Sequence, residues 1–214
     1  MQIPLHTFHY YSFILRIVKA QIRQIQEQTF VHDLVKYLSI DKERVRYIDL
    51  TENEVASPPF GFSVGENQFM IGAGKLNPDA RYLVTDKLVD CTALVIESKD
   101  RERYLLGHIM GNNFVHKMFE RFRESLGNPD EVGSITVVPG FLHDSPVDAR
   151  IQAILTESSK MNPSLLNVDI ASGEPYAYRG IVQDTIGGGL YGLSQPVDKG
   201  VTLMYNSQWA KSVL

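Results

Sequence analysis

Cys91-Thr-Ala-Leu-Val-Ile-Glu97, Ser98-Lys-Asp-Arg101 and Tyr104-Leu-Leu-Gly-His-Ile-Met110 form an aliphatic run, a polar break and a second apolar run. β-Branched and aliphatic residues on either side of a short polar segment read as two antiparallel strands joined by a turn. With the turn centred between Lys99 and Asp100, Cys91 and His108 face each other directly across the ladder. Such pairs share one face, with Cβ atoms about 4.5–5.5 Å apart, whereas a slip of one residue would put them on opposite faces.

Cys91 is the only cysteine in the 214 residues, and Thr85 lies six residues before it. An imidazole beside a thiol stabilises the thiolate and lowers its pKa well below the free value of about 8.5, which makes a nucleophile with its own base. A third group must hold the imidazole in the useful tautomer. Thr85, through its hydroxyl or its backbone carbonyl, is the candidate. A lone cysteine in an apolar strand also packs as a small hydrophobe; the joint spacing of Thr85, Cys91 and His108 favours the catalytic trio.

The segments Ile71-Gly72-Ala73-Gly74, Leu83-Val84-Thr85, Leu88-Val89-Asp90-Cys91 and His108-Ile109-Met110 resemble the chemoreceptor glutamine deamidases (CheD-like). That family carries a Val-Gly-x-Gly segment, a threonine, a Leu-Gly-Ser-Cys turn and a His-Phe-Met segment at similar separations. The catalytic domains of cytotoxic-necrotizing-factor toxins are similar to it in fold and Cys-His chemistry. The resemblance covers residues 70–110. It implies Cys91 as nucleophile, His108 as base and Thr85 as orienter, in a protein-glutamine deamidase that needs no cofactor or metal. Val89 and Asp90 stand where the family has Gly and Ser, which places a carboxylate beside the thiol.

The thiol-imidazole pair by itself fits several outcomes. A transglutaminase, an N-terminal amidase or a cysteine protease would use the same residues, and a non-catalytic protein-binding module would keep the hairpin with an unreactive Cys91. Gly61-Phe-Ser-Val-Gly65 matches the serine-hydrolase elbow, but Pro58-Pro59 precede it and a strand-like run follows, where that motif needs a strand before and a helix after. The six histidines form no metal-ligand spacing, and one cysteine excludes both an intramolecular disulfide and a cysteine-based zinc site.

At 43% hydrophobic residues the chain is long enough for one sizeable core. A net charge of −4 without long like-charge runs argues against nucleic-acid or anionic-membrane binding. The expected partner is a protein bearing a reactive Gln or Asn. The first fifteen residues lack a basic n-region and a small-residue cleavage site, and Arg16 ends the apolar run early. The expectation is a cytoplasmic chain, or an effector delivered to a host cell without a cleavable signal.

Apolar residues at 3.6-residue spacing predict helices over residues 13–28 and 31–38, after residue 112, and from Ser145, where Pro146 takes the first helical position. Strand-like runs fall at 45–50, 134–138, 168–170, 176–183, 190–193 and 201–205. The fold class expected is α+β, two packed mixed β-sheets with flanking helices in a layered sandwich. Residues 1–60 are expected as a helical N-terminal extension that supports target recognition, and 61–214 as the catalytic domain.

Overall fold

In the computed structural model the described residues are 25–193, apart from 27, 56–57, 59–60, 73–80, 127–130, 141–144 and 170–179, with backbone only at 145–148. The helix expected over 13–28 lies almost wholly outside them, as do the run at 201–205 and residues 73–74 of the glycine segment.

Among the described residues, three α-helices and ten strands make an α+β sandwich. The elements in chain order are α1 (28–37), β1 (Val45–Ile48), β2 (Phe62–Ser63), β3 (Gln68–Gly72), β4 (Tyr82–Thr85), β5 (Thr92–Ser98), β6 (Tyr104–Ile109), α2 (Asn113–Leu126), β7 (Val132–Pro139), α3 (Ser145–Met161), β8 (Leu165–Asp169), β9 (Ile181–Asp184) and β10 (Leu190–Gly192). A six-stranded sheet runs β1-β8-β7-β5-β6-β3 and a four-stranded sheet runs β10-β9-β4-β2. Both are mixed: β1 and β7 lie parallel to β8, β2 lies parallel to β4, and the other pairs are antiparallel. The strand at Val45–Ile48, expected within an extension, forms one edge of the large sheet.

Alternation along the strands sorts side chains into two cores. Leu94, Ile96, Leu105, Ile135 and Val137 meet Val31 and Val35 of α1, the α2 face Val115, Met118, Phe119 and Phe122, and Ile151, Ile154 and Leu155 of α3. On the opposite face Ala93, Val95, Leu106 and Val138 meet Phe62, Leu83 and Ile181 of the smaller sheet. β5 is therefore covered on both faces, which is why it reads as an unbroken apolar run. Gly107 lets α2 lie close on β6, since a Cβ there would come within 2.6 Å of Met118 Sδ and the methionine side chain would have to shift.

The β5–β6 hairpin turns one residue later than the sequence implies. Ser98 and Arg103 close the loop, with Ser98 N donating to Arg103 O at 3.0 Å. Arg103 N donates to Ser98 Oγ, Glu102 N donates to Asp100 Oδ1, and Arg101 takes φ 58°. The Asp100 carboxylate thus organises a turn centred between Asp100 and Arg101, and His108 pairs with Ala93 rather than Cys91. The shift amounts to two residues of register, so Cys91 and His108 keep the same face but become diagonal neighbours.

The far end of the smaller sheet is pinned by Arg81, whose Nη2 lies 2.9 Å from Asp184 Oδ2. Burial pushes the Asp184 carboxyl up, but hydrogen bonds from Arg81 and from the Gly187 and Ile186 amides outweigh it and hold the group below its ordinary value. A depressed carboxyl contributes stability that is present above its unfolded pKa of about 3.9 and is lost as pH falls through the lower folded value. Arg81→Gln should lower Tm at pH 7, and the gap from wild type should narrow below about pH 4; thermal melts across that range read it directly.

Candidate active site at the sheet interface

Thr85 is the last residue of β4, and with Leu83 it points from the smaller sheet toward the larger one, where His108 of β6 points back. Both are buried, at 0% and 2% exposure. Thr85 Oγ1 lies 2.7 Å from the Val64 carbonyl and 2.7 Å from His108 Nδ1. A carbonyl only accepts, so the hydroxyl proton goes to Val64, and the contact with the ring is carried by Nδ1–H donating to Thr85 Oγ1. This fixes the tautomer and leaves the Nε2 lone pair bare. Nε2 is buried and has no hydrogen-bond partner. Burial lowers the pKa of His108, opposed by the charges of Glu66, Asp86 and Asp90, so the imidazole is neutral at pH 7.

Cys91 precedes β5 and packs at 2% exposure in the inter-sheet core with Leu88, Ala93 and Val138. Its backbone is fastened to the chain after β7 by Gly140 N donating to Cys91 O at 2.7 Å. A Cβ on Gly140 would fall 2.4 Å from Val89 O, so only glycine permits this approach. The left-handed residue of the turn before Cys91 is Lys87, at φ 59°. Val89 and Asp90 themselves do not take positive φ.

Diagonal neighbours on one sheet face are about 7–8 Å apart between Cα atoms, against about 4.5–5.5 Å for directly facing pairs. The thiol instead hydrogen-bonds outward, Sγ donating to Asp90 Oδ1 at 3.8 Å. Burial first, then the charges of Asp90 and Glu66, push its pKa up to about 11, and Arg150 pulls in the opposite direction. The resting pair is a neutral thiol and a neutral imidazole, in place of the thiolate-imidazolium pair expected from sequence. The physical reason is that an ion pair sealed from water beside uncompensated carboxylates loses more solvation than the partners return.

Among the described residues, five buried side-chain polar atoms lack a hydrogen-bond partner: Thr92 Oγ1, Glu97 Oε1, which keeps an ion-pair contact at 3.3 Å from Arg101 Nε, His108 Nε2, and Arg150 Nε and Nη2. Buried polar groups are otherwise almost always bonded, and four of these five belong to Thr92, His108 and Arg150, at the Cys91 end of the sheet. Arg150 was invisible to the pattern reading because Ile151, Ile154 and Leu155 dominate α3. Its signal is a charge placed in line with Ile154 and Ser158 at four-residue spacing on the buried face. Glu66 and Asp90 are exposed and Asp86 is half-buried, forming an acidic rim with the exposed apolar side chains of Val89, Met110 and Phe114. Asn67, at φ 54°, ties the rim to β6 by accepting from the Met110 and Gly111 amides at 3.0 and 3.1 Å.

The Gly61–Gly65 segment runs as strand β2 into a turn and then β3, so Ser63 is not on a nucleophile elbow. Among the described residues there is no metal-holding cluster of His, Cys, Asp and Glu, and no helix is long and apolar enough to cross a membrane. Alkylation of Cys91 followed against pH should inflect toward about 11 in the wild type. Asp90→Asn should move the inflection down, because it removes the nearest charge opposing the thiolate; a wild-type inflection below the free-thiol value of about 8.5 would contradict this electrostatic picture.

No protein-family model matches the sequence, and no curated protein is significantly similar to it. Among solved structures, that of the Bacillus licheniformis hypothetical protein YfiH is similar at a TM-score of 0.34 and 10% identity, over 64% of this chain and 67% of that chain. A likeness at this level assigns neither family nor function.

Proposed function

We propose that this chain is a cysteine-dependent amidohydrolase that converts a glutamine side chain of a protein substrate to glutamate, in the manner of the CheD-like deamidases its sequence resembles. The observation that carries the reading is the Thr85–His108 hydrogen bond, which leaves a bare, buried Nε2 on the sheet face that also carries the chain's only cysteine.

The resting thiol is protonated, so the nucleophile forms on demand. A bound carboxamide displaces the Asp90 contact, His108 Nε2 takes the S–H proton, and sulfur bonds to the carboxamide carbon. The resulting imidazolium protonates the nitrogen, the C–N bond breaks and ammonia leaves a thioester. Water, deprotonated by His108, adds to the thioester carbon; the C–S bond breaks and the proton returns to sulfur. General acid-base transfer of this kind contributes roughly 10²–10⁴-fold. Sealing the pair from water keeps the imidazole neutral and able to accept the proton.

A second reading, a protein-binding module on the same fold, is favoured by one observation: the buried Cys91 thiol donates to Asp90 Oδ1, a contact that holds it protonated. Ammonia release and the amide-to-acid mass gain on glutamine-bearing proteins and on a blocked glutamine peptide separate the two. The amidohydrolase releases ammonia and loses all turnover as Cys91→Ser, whereas the binding module gives the Cys91→Ser result in the wild type. Incorporation of an added amine identifies a transglutaminase, and a cut backbone a protease. Thr85→Val should lower turnover by about 10²-fold or more, since Nδ1 loses its acceptor and the tautomer is no longer fixed. Thr85→Ser should retain most activity, which distinguishes loss of the hydroxyl from loss of packing.

A further inference from the structure

Two arginines of this fold use the same donors with opposite outcomes. Arg81 lays Nε and Nη2 side-on against Asp184, at 3.2 Å from Oδ1 and 2.9 Å from Oδ2, the fork that matches a guanidinium edge to two carboxylate oxygens. Arg150, 3% exposed, donates only through Nη1, to the Met110 carbonyl at 2.6 Å. Its Nε–Nη2 edge is buried and has no partner. A buried charged donor without an acceptor is costly.

The position of that edge links it to the reacting sulfur. The β5–β6 ladder ends at Thr92 opposite Ile109, and Cys91 and Met110 are the next residues beyond that end on the two strands. The carbonyl that anchors Arg150 therefore sits at the end of the ladder where Cys91 enters β5, and the Arg150 charge is near enough to the sulfur to favour its thiolate. Thr92, next to Cys91 in the chain, has a buried hydroxyl that is also without a hydrogen-bond partner, on the α3-covered face of β5. Around them, Glu66, Asp86 and Asp90 would repel an anion, so a buried cation here has a task that the rim cannot share.

We propose that the Nε–Nη2 edge of Arg150 is a carboxylate receptor of the Cys91 site, holding the negative oxygens that develop on the carbon bonded to sulfur and end as the product carboxylate. It rests on the amidohydrolase reading for the identity of that carbon. When water adds to the thioester and the C–S bond breaks, the acid formed loses its proton to solvent and presents two anionic oxygens to the two N–H donors. The carboxamide substrate offers the same edge one acceptor oxygen and an NH₂ group that is itself a donor. The edge thus favours the negative charge that develops on these oxygens over the neutral carboxamide, and the share of that preference already present in the transition state is what assists turnover.

The chain has one cysteine, so alkylation of that residue can be read from intact mass. Iodoacetate carries a carboxylate on the carbon attacked by sulfur, and iodoacetamide carries an amide in the same place. The two rates are compared at one alkaline pH in the wild type, Arg150→Lys and Arg150→Gln, with circular dichroism to establish folding. The receptor predicts that iodoacetate reacts faster than iodoacetamide in the wild type, with a rate that saturates. The ratio should fall about tenfold or more in Arg150→Gln, the equivalent of roughly 1.4 kcal/mol, and to an intermediate value in Arg150→Lys, which keeps the charge and loses the fork. If Arg150→Gln unfolds, the wild-type ratio and Arg150→Lys decide. Iodoacetate reacting more slowly than iodoacetamide in the wild type, the order the acidic rim would impose, overturns the receptor, as does a ratio unchanged by either folded substitution. Anion preference without any turnover would overturn the amidohydrolase and leave the receptor standing, and turnover without anion preference would do the reverse.

Discussion

The hydrogen bond between Thr85 Oγ1 and His108 Nδ1 joins the two sheets at the candidate active site. Each partner is the inward-facing residue of a different sheet, so the 2.7 Å contact exists only if the sheets are packed at the right separation and offset. The inter-sheet core of Leu83, Phe62, Ile181, Val95 and Leu106 sets that separation. Val64 completes the arrangement, since its amide is held by Val84 O at 2.8 Å and its carbonyl takes the threonine proton. A single proton count, in which Val64 O can only accept, then propagates through the hydroxyl to the ring and determines which nitrogen is bare. The tautomer is a consequence of sheet packing.

The same burial that protects the imidazole works against the thiol. Water-exclusion lowers the pKa of His108 and raises that of Cys91, so the two drift apart in the direction that leaves both neutral. Asp90 reinforces this by accepting the S–H. In the proposed amidohydrolase, such a site holds its nucleophile in reserve until a bound group displaces the carboxylate and offers the sulfur an electrophile. The buried guanidinium of Arg150 and the exposed acidic rim lie on opposite sides of that balance, the first lowering the energy of negative charge at sulfur and the second raising it.

Close approaches of backbone hold the site in place. The segment leading into Cys91 lies so near Gly140 that no side chain fits between them, and β6 is pressed under α2 at Gly107, beside His108. These contacts fix the two strands from both directions, from the following strand on one side and the helical layer on the other. The Asn67 side chain then closes the end of β6 by capping two successive amides.

From the residues alone, the hairpin, the α2 and α3 periodicities and the α+β class were legible, because each is encoded locally in period-2 or period-3.6 alternation; short spacings singled out Thr85, Cys91 and His108, of which the structure brings Thr85 and His108 into hydrogen-bond contact. The shared face of Cys91 and His108 followed from parity, which survives a register shift of two. The register itself did not, because the Asp100 carboxylate and a left-handed Arg101 move the turn centre, and no Asn-Gly or Asp-Gly signal announces them. Only the tertiary structure paired Val45–Ile48 with β8, brought Arg150 from α3 to the end of β6, and assembled Glu66 of the β2–β3 turn with Asp86 and Asp90 of the β4–β5 loop. Protonation was likewise decided in three dimensions: sequence adjacency makes a thiolate beside an imidazole the natural expectation, whereas desolvation between two packed sheets, a property of no single segment, leaves both groups uncharged.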